Sequence, residues 1–464
     1  MATDSRAVQP AAAAELTRQL RGRVTGPDSP DWDTARRPWN RRIDQHPLLV
    51  VDAEGPDDIA ATVAYAARQG LQVTVQTSGH GAGASIENAI LLRTNGLREI
   101  TLDPERQRVR VGAGVSAGEL MTALSPHGLA LSTGTCSDVG VTGYVMFGGA
   151  GVLGRALGFA ANQVVGADVV TVDGSRIRAD AATNEDLFWA LRGGGGGFAL
   201  VTHLDLALAR VPALFGGQLI WPVDAAAEVF DAWASWATGL TRDTTSFACV
   251  LQMPPAPQLP EVLRGRRVVM VTVCHAGAAD QAMSLVDPIT NVGTPLVNSL
   301  RPLSVADVGA LFGPPVPPVP LRNRSELLTD LPGAAVREFV AKTGPASGSP
   351  LQMAQIRHLG GAFAQPAQES GGLGAIGRTD AQFLIELVAI APSQEADAAA
   401  RGFEESVLAA LSPWTTGTTL PSFADPGTDP ASLVFSPATR QRLADVKRRY
   451  DPANVFCTSF PVTA

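Results

Sequence analysis

The amino-acid sequence predicts a globular α+β protein built from two domains. The chain has 464 residues, of which 45% are hydrophobic and 17% are charged, so it can bury a substantial core. In its first half, short strand-like runs alternate with helix-like segments. After about Arg210 prolines become frequent and the segments are longer and less regular, which indicates a second domain. A clear helical pattern returns near the end of the chain, at 438–450.

The first predicted unit is a strand, a helix and a second strand. An apolar run at 48–51 is followed by a helix that Asp57 or Asp58 can cap. Gly70 ends this helix, because glycine adopts the left-handed conformation at the least cost. The next strand, at 73–75, leads directly into a loop of small residues.

Further elements follow in order up to residue 208. A helix at 116–124 starts with the capping-box pair Ser116 and Glu119, and a short helix at 184–191 precedes a run of glycines. We interpret the stretch between these two helices at 132–154, rich in Gly, Thr and Ser, as a loop. The remaining apolar runs predict strands at 90–92, 99–102, 108–111, 165–172 and 198–208.

Composition excludes several classes of protein. The net charge is −8 and there is no basic–aromatic patch, which argues against a nucleic-acid partner. No run of about 18 uncharged apolar residues occurs, and residues 1–20 lack an apolar signal region, so we expect neither a membrane span nor a signal peptide. The cysteines are scattered and form no CxxC pair, which predicts no metal site and a cytoplasmic location; they are Cys136, Cys249, Cys274 and Cys457.

Three glycine-rich segments carry the chemical signal. The first, QTSGHGAGAS at 76–85, lets backbone N–H groups approach an anionic group closely. His80 lies in its middle, where a structural role is as compatible with the residue type as a functional one. The segment matches neither a dinucleotide-binding GxGxxG pattern nor a Walker loop.

The second segment, GTCSDVGVTGYVMFGGAG at 134–151, surrounds Cys136 with small residues. A lone cysteine is most often a small buried hydrophobe, but this glycine density favours close packing of backbone against a flat or anionic group. The third segment, FWALRGGGGGFALVT at 188–202, contains five consecutive glycines. Its apolar flanks favour a packed turn beside a cofactor over a flexible loop.

Five motifs in this order resemble the berberine-bridge-enzyme-like branch of the FAD-linked oxidases, within the vanillyl-alcohol oxidase and p-cresol methylhydroxylase superfamily. They are His80 in its small-residue loop, G-T-C-x-x-V-G at 134–140, V-T-x-D-G at 170–174, F-W-A-L-R-G-G-G-G at 188–196 and R-Y-D-P-A-N-V-F at 449–456. The resemblance covers 40–208 and 437–456. It implies a split FAD-binding domain of the p-cresol methylhydroxylase type at 1–208 and 430–464, and a substrate domain at 209–429 with an antiparallel sheet covered by helices.

The resemblance also implies which residues hold FAD. His80 and Cys136 match the positions that can both bond the isoalloxazine ring, and a thiolate and an imidazole are nucleophiles suited to that role. Val169 is expected to face the adenine and Asn454 to lie near the flavin. The other expected FAD contacts are Gln76, Thr77, Ser78, Gly79, Gly81, Ala82, Gly134, Thr135, Val139, Gly140, Gly143 and Tyr144.

The sequence departs from the family where a catalytic tyrosine usually stands. In the segment at 417–423, Leu420 occupies the tyrosine position, and leucine cannot accept a hydroxyl proton. We therefore take Tyr144, His358 and Glu386 as candidate catalytic residues. His358 and Glu386 lie on strand-like stretches whose alternate residues should face the flavin, although a structural polar role is the competing interpretation for each.

Two enzymatic functions follow from the resemblance. One is an FAD-dependent oxidase of bacterial natural-product biosynthesis, which oxidises a bulky secondary metabolite and passes electrons to O₂. The other is a Diels–Alder-type cyclase that keeps FAD as a structural cofactor and folds a polyketide polyene for ring closure. A flavin carrier without catalysis fits less well, since it would not need a large substrate domain.

Overall fold

The computed structural model describes residues 13–83, 86–311, 313, 315–367, 372–425 and 430–462. The first twelve residues, on which part of the signal-peptide prediction rests, lie outside these ranges. So do Ala84 and Ser85 at the end of the His80 loop.

The strands run in chain order through both halves of the molecule. They are β1 Arg23–Thr25, β2 Leu49–Asp52, β3 Gln72–Gln76, β4 Ala89–Arg93, β5 Ile100–Asp103, β6 Arg108–Gly112, β7 Leu129–Ala130, β8 Val164–Val170, β9 Arg176–Asp180, β10 Leu200–Ala207, β11 Ala209–Arg210, β12 Leu214–Pro222, β13 Thr244–Gln252, β14 Arg267–His275, β15 Val297–Asn298, β16 Arg301–Leu303, β17 Leu321–Leu328, β18 Met353–His358 and β19 Phe383–Ile390.

Helices connect and cover these strands. They are α1 at 13–19, α2 Trp32–Arg36, α3 Pro56–Gln69, α4 Ala117–Leu124, α5 Val141–Met146, α6 Gly154–Leu157, α7 Glu185–Leu191, α8 Ala226–Thr238, α9 Ala279–Thr290, α10 Gly333–Thr343, α11 Gln394–Leu411, α12 Pro430–Val434 and α13 Pro437–Tyr450.

The first sheet has the order β1-β2-β4-β3, in which β2, β4 and β3 are parallel. Helix α3 connects β2 to β3, and Gly70 ends it in the left-handed conformation as predicted. The predicted cap is wrong, because the helix begins after Gly55 without a side-chain cap. Asp58 is buried and accepts hydrogen bonds from the backbone N–H groups of Arg21, Gly22 and Glu54.

The second sheet, β5-β6-β10-β8-β9, is antiparallel throughout. The predicted capping box of Ser116 and Glu119 is present at the start of α4. The prediction of a continuous loop at 132–154 is wrong, because helix α5 and the start of α6 lie within it. Valine, tyrosine and methionine in V-T-G-Y-V-M give that stretch one apolar turn, which packs into the core beside the glycines.

The largest sheet has the order β15-β12-β14-β13-β18-β19-β17, with β16 pairing to β12, and its strands pair antiparallel. Helices α8 to α11 pack on one of its faces. There, helix residues such as Trp233 and Phe339 form one apolar core with the side chains at every second position of the strands. The chain thus has the predicted fold class, an FAD-binding region together with a helix-covered antiparallel sheet. The exact domain boundaries at 208, 209 and 430 stay a prediction.

The end of the chain returns to the first sheet. After α13, the bridge between Val73 and Phe456 places 455–457 parallel to β3. The buried Lys447 ammonium donates to the carbonyl oxygen of Gly197 at 2.8 Å, to that of Phe456 at 3.0 Å and to Asp451 Oδ2 at 2.6 Å. This cluster fixes the returning segment to the five-glycine turn, which is packed as predicted.

Within the described ranges, no helix is long and apolar enough to cross a membrane, and no group of His, Cys, Asp and Glu has metal-site geometry. The four cysteines are free thiols. A cytoplasmic location stays a prediction.

Candidate functional site

Two glycine-rich loops lie side by side at the end of β3. Thr77 Oγ1 bonds Thr94 Oγ1 at 2.9 Å and donates to the carbonyl oxygen of Ala113 at 3.0 Å, which fixes the first loop where it leaves the strand. Gly140, in the second loop, approaches Thr77 so closely that an added Cβ would lie 2.9 Å from the threonine Cβ. Small residues are therefore required where the two loops meet.

His80 projects from the first loop against an aromatic ring. Its imidazole stacks on the indole of Trp39 with ring centroids 4.2 Å apart and an interplanar angle of 17°. Nδ1 lies 2.8 Å from the Ser78 hydroxyl, and Nε2 lies 3.6 Å from Asp138 Oδ2 in the second loop. Burial lowers the pKa of His80, while the Asp138 carboxylate opposes that shift. The ring is thus favoured in its neutral, nucleophilic form.

Cys136 lies two residues before Asp138 and is exposed. Surrounding protein atoms nevertheless desolvate the thiol enough to raise its pKa, whereas a hydrogen bond with Thr135 lowers it. The carboxylates of Asp138 and Glu386 raise the pKa further, and the charge of Arg357 lowers it. Arg357 and Glu386 belong to the large sheet, so charges on that sheet lie close enough to Cys136 to affect the pKa of its thiol.

Tyr144, on α5, supports the second loop from within. Its ring lies against Gly134 and Gly149, where added Cβ atoms would come within 3.1 and 2.6 Å of it. Its hydroxyl is buried without a hydrogen-bond partner among the described residues, and burial raises the pKa of Tyr144 well above its usual range. The phenol is therefore a hydrogen-bond donor at neutral pH and is poorly suited to act as a base.

The large sheet presents a polar row on the face opposite its helices. Cross-strand pairing aligns Cys249 of β13 with Gln355 of β18, and Gln355 with Glu386 of β19. Phe247 and Arg357 form the neighbouring pair on the same face, two residues along each strand. Glu386 is the one carboxylate among these five side chains. We call this set the polar row.

Arg357 and Glu386 form an ion pair within the polar row, with Nη2 and Oε2 3.2 Å apart. The guanidinium lies between two aromatic rings, 4.6 Å from the centroid of Phe247 and 4.7 Å from that of Phe423. Arg357 Nε and Gln355 Oε1 are buried and have no hydrogen-bond partner among the described residues. Since unpaired buried polar atoms are costly, a polar ligand would satisfy them at a gain in free energy.

The expectation that His358 and Glu386 share a face is wrong. His358 pairs with Phe383, three residues from Glu386, and side chains alternate along a strand, so the two point to opposite faces. His358 Nε2 lies 3.1 Å from Arg155 Nη1. Burial and the arginine charge lower the pKa of His358 to about 3. These contacts favour a structural role for His358.

Leu420 and Ser422 cover one end of the polar-row face. Leu420 is buried in an apolar cluster with Leu384 and Phe159, so no proton acceptor replaces the family tyrosine at this position. The Ser422 hydroxyl donates to the carbonyl oxygen of Phe147 at 2.8 Å and accepts from the backbone N–H of Gly149 at 3.1 Å. The segment therefore links the loop of Cys136 to the large sheet.

Two predicted FAD contacts, Val169 and Asn454, lie outside the two glycine-rich loops. The Val169 side chain is 1% exposed and belongs to the core under the second sheet, so it does not face an open surface. Asn454 is exposed, has a φ of +53° and accepts a hydrogen bond from Gln72 through its backbone oxygen. Gln72 begins β3 and the FAD loop follows Gln76, roughly 13 Å further along the strand at the usual rise. Asn454 therefore lies at the other end of β3 from the His80 loop, and its place near the flavin stays a prediction.

Sequence reasoning missed four residues of the site: Trp39, Asp138, Gln355 and Arg357. The alternation of polar residues in M-A-Q-I-R-H signals a strand with Gln355 and Arg357 on one face. Asp138 lies within a quoted motif at one of its variable positions. Nothing in the local sequence signals Trp39, because its contact with His80 is made across 41 positions of the chain.

The residues present fit FAD. The buried Nε2 of His80 and the buried hydroxyl of Tyr144 are both without partners among the described residues. Added Cβ atoms at Gly81 and Gly143 would meet no described atom within 4 Å, so there is room beside both loops. Adjacent small-residue loops with exposed backbone are suited to a pyrophosphate and a flat ring.

Comparison with known proteins agrees with this geometry. Residues 47–180 match the FAD binding domain family. The chain is 26% identical to the FAD-linked oxidoreductase YvdP of Bacillus subtilis, over 94% of this chain and 97% of that protein. It is 28% identical to (R)-6-hydroxynicotine oxidase of Paenarthrobacter nicotinovorans, over 94% and 95%. The structure of BBE-like 1 from Physcomitrella patens superposes with a TM-score of 0.84 at 18% identity, over 97% and 99%.

Fold, site and relatives define the chain as an FAD-binding oxidoreductase. More particularly, it carries an FAD binding domain at 47–180, its full-length relatives include an FAD-linked oxidoreductase and an oxidase, and its fold is similar to that of BBE-like 1.

Proposed function

We propose that this protein is an FAD-dependent oxidase in which Glu386 accepts the proton of a substrate hydroxyl. The observation that carries the proposal is the Arg357–Glu386 pair in the polar row, which interacts electrostatically with Cys136 of the FAD loop. A carboxylate that is the one anionic side chain of the polar row is suited to general-base catalysis. Arg357 fixes its orientation and is itself fixed by two aromatic rings.

Bound FAD supplies the two-electron acceptor, and O₂ is the proposed final acceptor. The residues of this chain bind FAD and the substrate and orient the two relative to each other. Thr77 and the backbone of 78–82 hold the cofactor. The Tyr144 hydroxyl, beneath the second loop, donates a hydrogen bond to the cofactor. Gln355 Oε1 and Arg357 Nε contact the substrate, which satisfies two buried polar atoms. We propose the division into an FAD-binding domain at 1–208 and 430–464 and a substrate domain at 209–429 on the same basis.

The proposed substrate is a bulky alcohol-bearing metabolite, in keeping with a role in bacterial natural-product biosynthesis. Support comes from the breadth of the polar row, which spans β13, β18 and β19, and from the two aromatic rings around Arg357. The relatives reported above are an oxidase and an oxidoreductase, so they favour redox chemistry and give no support to the cyclase alternative.

We further propose that FAD is bonded covalently to both His80 and Cys136. Their loops are adjacent, His80 is favoured as neutral imidazole, and Cys136 is exposed beside it. Acid precipitation of the wild-type protein is expected to leave the yellow colour in the pellet. His80→Ala and Cys136→Ala should each retain flavin through the remaining bond, and the double variant should release it all.

Colour in the supernatant of acid-precipitated wild-type protein would contradict covalent attachment while leaving FAD binding intact. Cys249→Ala is the matched control, because Cys249 is a buried thiol on the large sheet and its loss should leave flavin retention unchanged.

A further inference from the structure

The imidazole of His80 is restrained by side chains from two different parts of the chain. Trp39 covers one face of the ring, and Asp138 lies opposite one of its nitrogens, 3.6 Å from Nε2. Ser78, in the same loop, lies 2.8 Å from Nδ1. Trp39 and Asp138 come from two segments other than the His80 loop.

Trp39 belongs to a segment, 38–42, that is anchored at both ends. On one side, the backbone N–H groups of Trp39 and Asn40 donate to the carbonyl oxygens of Ser78 and Gly79 at 3.2 and 3.4 Å. On the other side, the Asn40 side chain donates to the Leu321 carbonyl oxygen at 2.9 Å and accepts from its N–H at 3.0 Å. The indole plane is therefore fixed relative to the His80 loop.

The same segment is also tied to the large sheet by charge. Arg42 Nη2 lies 2.8 Å from Asp425 Oδ1, and Arg42 Nη1 lies 3.5 Å from Asp397 Oδ1 on α11. The indole N–H of Trp39 donates a hydrogen bond of 3.4 Å to the carbonyl oxygen of Val316. These bonds make the segment a rigid support for the imidazole and not a mobile cover.

Asp138 determines which nitrogen of His80 carries the proton. A carboxylate opposite Nε2 stabilises the tautomer with hydrogen on Nε2, since the N–H dipole then points at the negative charge. In that tautomer Nδ1 has a free lone pair, and it can accept a hydrogen bond from the Ser78 hydroxyl. The Ser78 hydroxyl can donate or accept and so is compatible with this tautomer without selecting it, and the preference for Nδ1 as the nucleophilic atom comes from Asp138.

We propose that Trp39 and Asp138 are positioning residues for the covalent attachment of FAD to His80. The indole fixes the plane of the imidazole, and the carboxylate holds the proton on Nε2 so that the Nδ1 lone pair is available. This inference rests on the proposed covalent role of His80. Both residues act through His80, so their proposed contribution is to cofactor attachment.

Covalent attachment of FAD to His80 is an oxidation, and O₂ is its final oxidant. The bond from Nδ1 to the 8α carbon of the cofactor forms while a C–H bond of that methyl group breaks. The released hydrogen leaves as a proton, and its electron pair reduces the cofactor. O₂ then takes that electron pair with two protons, one from the methyl group and one from Nε2 of the alkylated imidazole, and leaves as H₂O₂, which restores the oxidised cofactor, now attached to a neutral His80.

The test uses full-length protein in a Cys136→Ala background, so that His80 is the remaining attachment site. Asp138→Asn and Trp39→Leu are introduced separately, with Trp39→Phe as the conservative variant and Asp224→Asn, an exposed position on the large-sheet side, as the matched control. Each protein is incubated with FAD in air. Total bound FAD is measured after gel filtration, and attached FAD is measured in the acid-precipitated pellet over time.

The expected result is full FAD occupancy in all variants but attachment at least tenfold slower for Asp138→Asn and Trp39→Leu. Trp39→Phe should restore most of the rate, because a flat ring is still present, and Asp224→Asn should match the background. Attachment by Asp138→Asn and Trp39→Leu at the background rate would overturn this inference alone. Complete release of FAD by the Cys136→Ala background itself would overturn both this inference and the covalent role of His80.

Discussion

Replacing Glu386 with glutamine is expected to slow substrate-driven reduction of FAD by about 10²–10⁴-fold, the usual range for loss of a general base. Glutamine has nearly the same shape and can still accept a hydrogen bond from Arg357, so the polar row should keep its geometry. It cannot accept a proton. FAD content and thermal stability should therefore match those of the wild type, which separates a chemical defect from a folding defect.

The measurement is single-turnover reduction of the enzyme-bound flavin under anaerobic conditions. Glu326→Gln is the matched control, because Glu326 lies on the neighbouring strand β17 and pairs with Ile385, which places it on the opposite face of the sheet. Its reduction rate should stay within about twofold of the wild type, since a side chain outside the site does not contribute to the chemistry. A Glu386→Gln enzyme that reduces its flavin as fast as this control would remove Glu386 from the mechanism.

Replacing Lys447 with methionine is expected to cost about 3–5 kcal/mol of folding stability, as removal of one partner from a buried ion pair usually does. The ammonium makes three short hydrogen bonds to Gly197, Asp451 and Phe456. Asp451 is 1% exposed and would lose its cationic partner. Because the cluster joins the returning C-terminal segment to the five-glycine turn, the change in flavin fluorescence that accompanies unfolding should also come at a lower temperature.

Urea unfolding followed by tryptophan and flavin fluorescence measures this effect. Arg448→Met is the control, since Arg448 pairs with Asp445 at the surface, where such pairs contribute about 0–1 kcal/mol. Equal unfolding midpoints for the two variants would show that the buried lysine does not hold the C-terminal segment.

Local signals predicted the elements of the first half well. The capping box at Ser116 and the left-handed Gly70 are properties of a few adjacent residues, and both occur as expected. The predicted cap on α3 is wrong because the contacts of Asp58 are not local. Asp58 has the right residue type and position, but its carboxylate binds backbone N–H groups of 21 and 22, far away along the chain.

The candidate site shows the same limit more clearly. Strand-like character at His358 and Glu386 was visible in the sequence, but which face each side chain takes depends on the pairing register. A shift of the pairing register by one residue moves each side chain of the strand to the other face of the sheet, and no local sequence pattern fixes the register. Asn454 illustrates a further limit. The C-terminal part was predicted to belong to the FAD-binding domain, but only the bridge between Val73 and Phe456 shows which strand it meets and at which end.

The most direct test of the account is anaerobic mixing of the purified, flavin-loaded enzyme with alcohol-bearing substrates, followed by admission of O₂. The account predicts that the visible flavin absorbance falls on mixing, and that O₂ restores it with formation of one H₂O₂ for each substrate oxidised. Conversion of a substrate to an isomer of unchanged mass, while the flavin stays oxidised throughout, would contradict it.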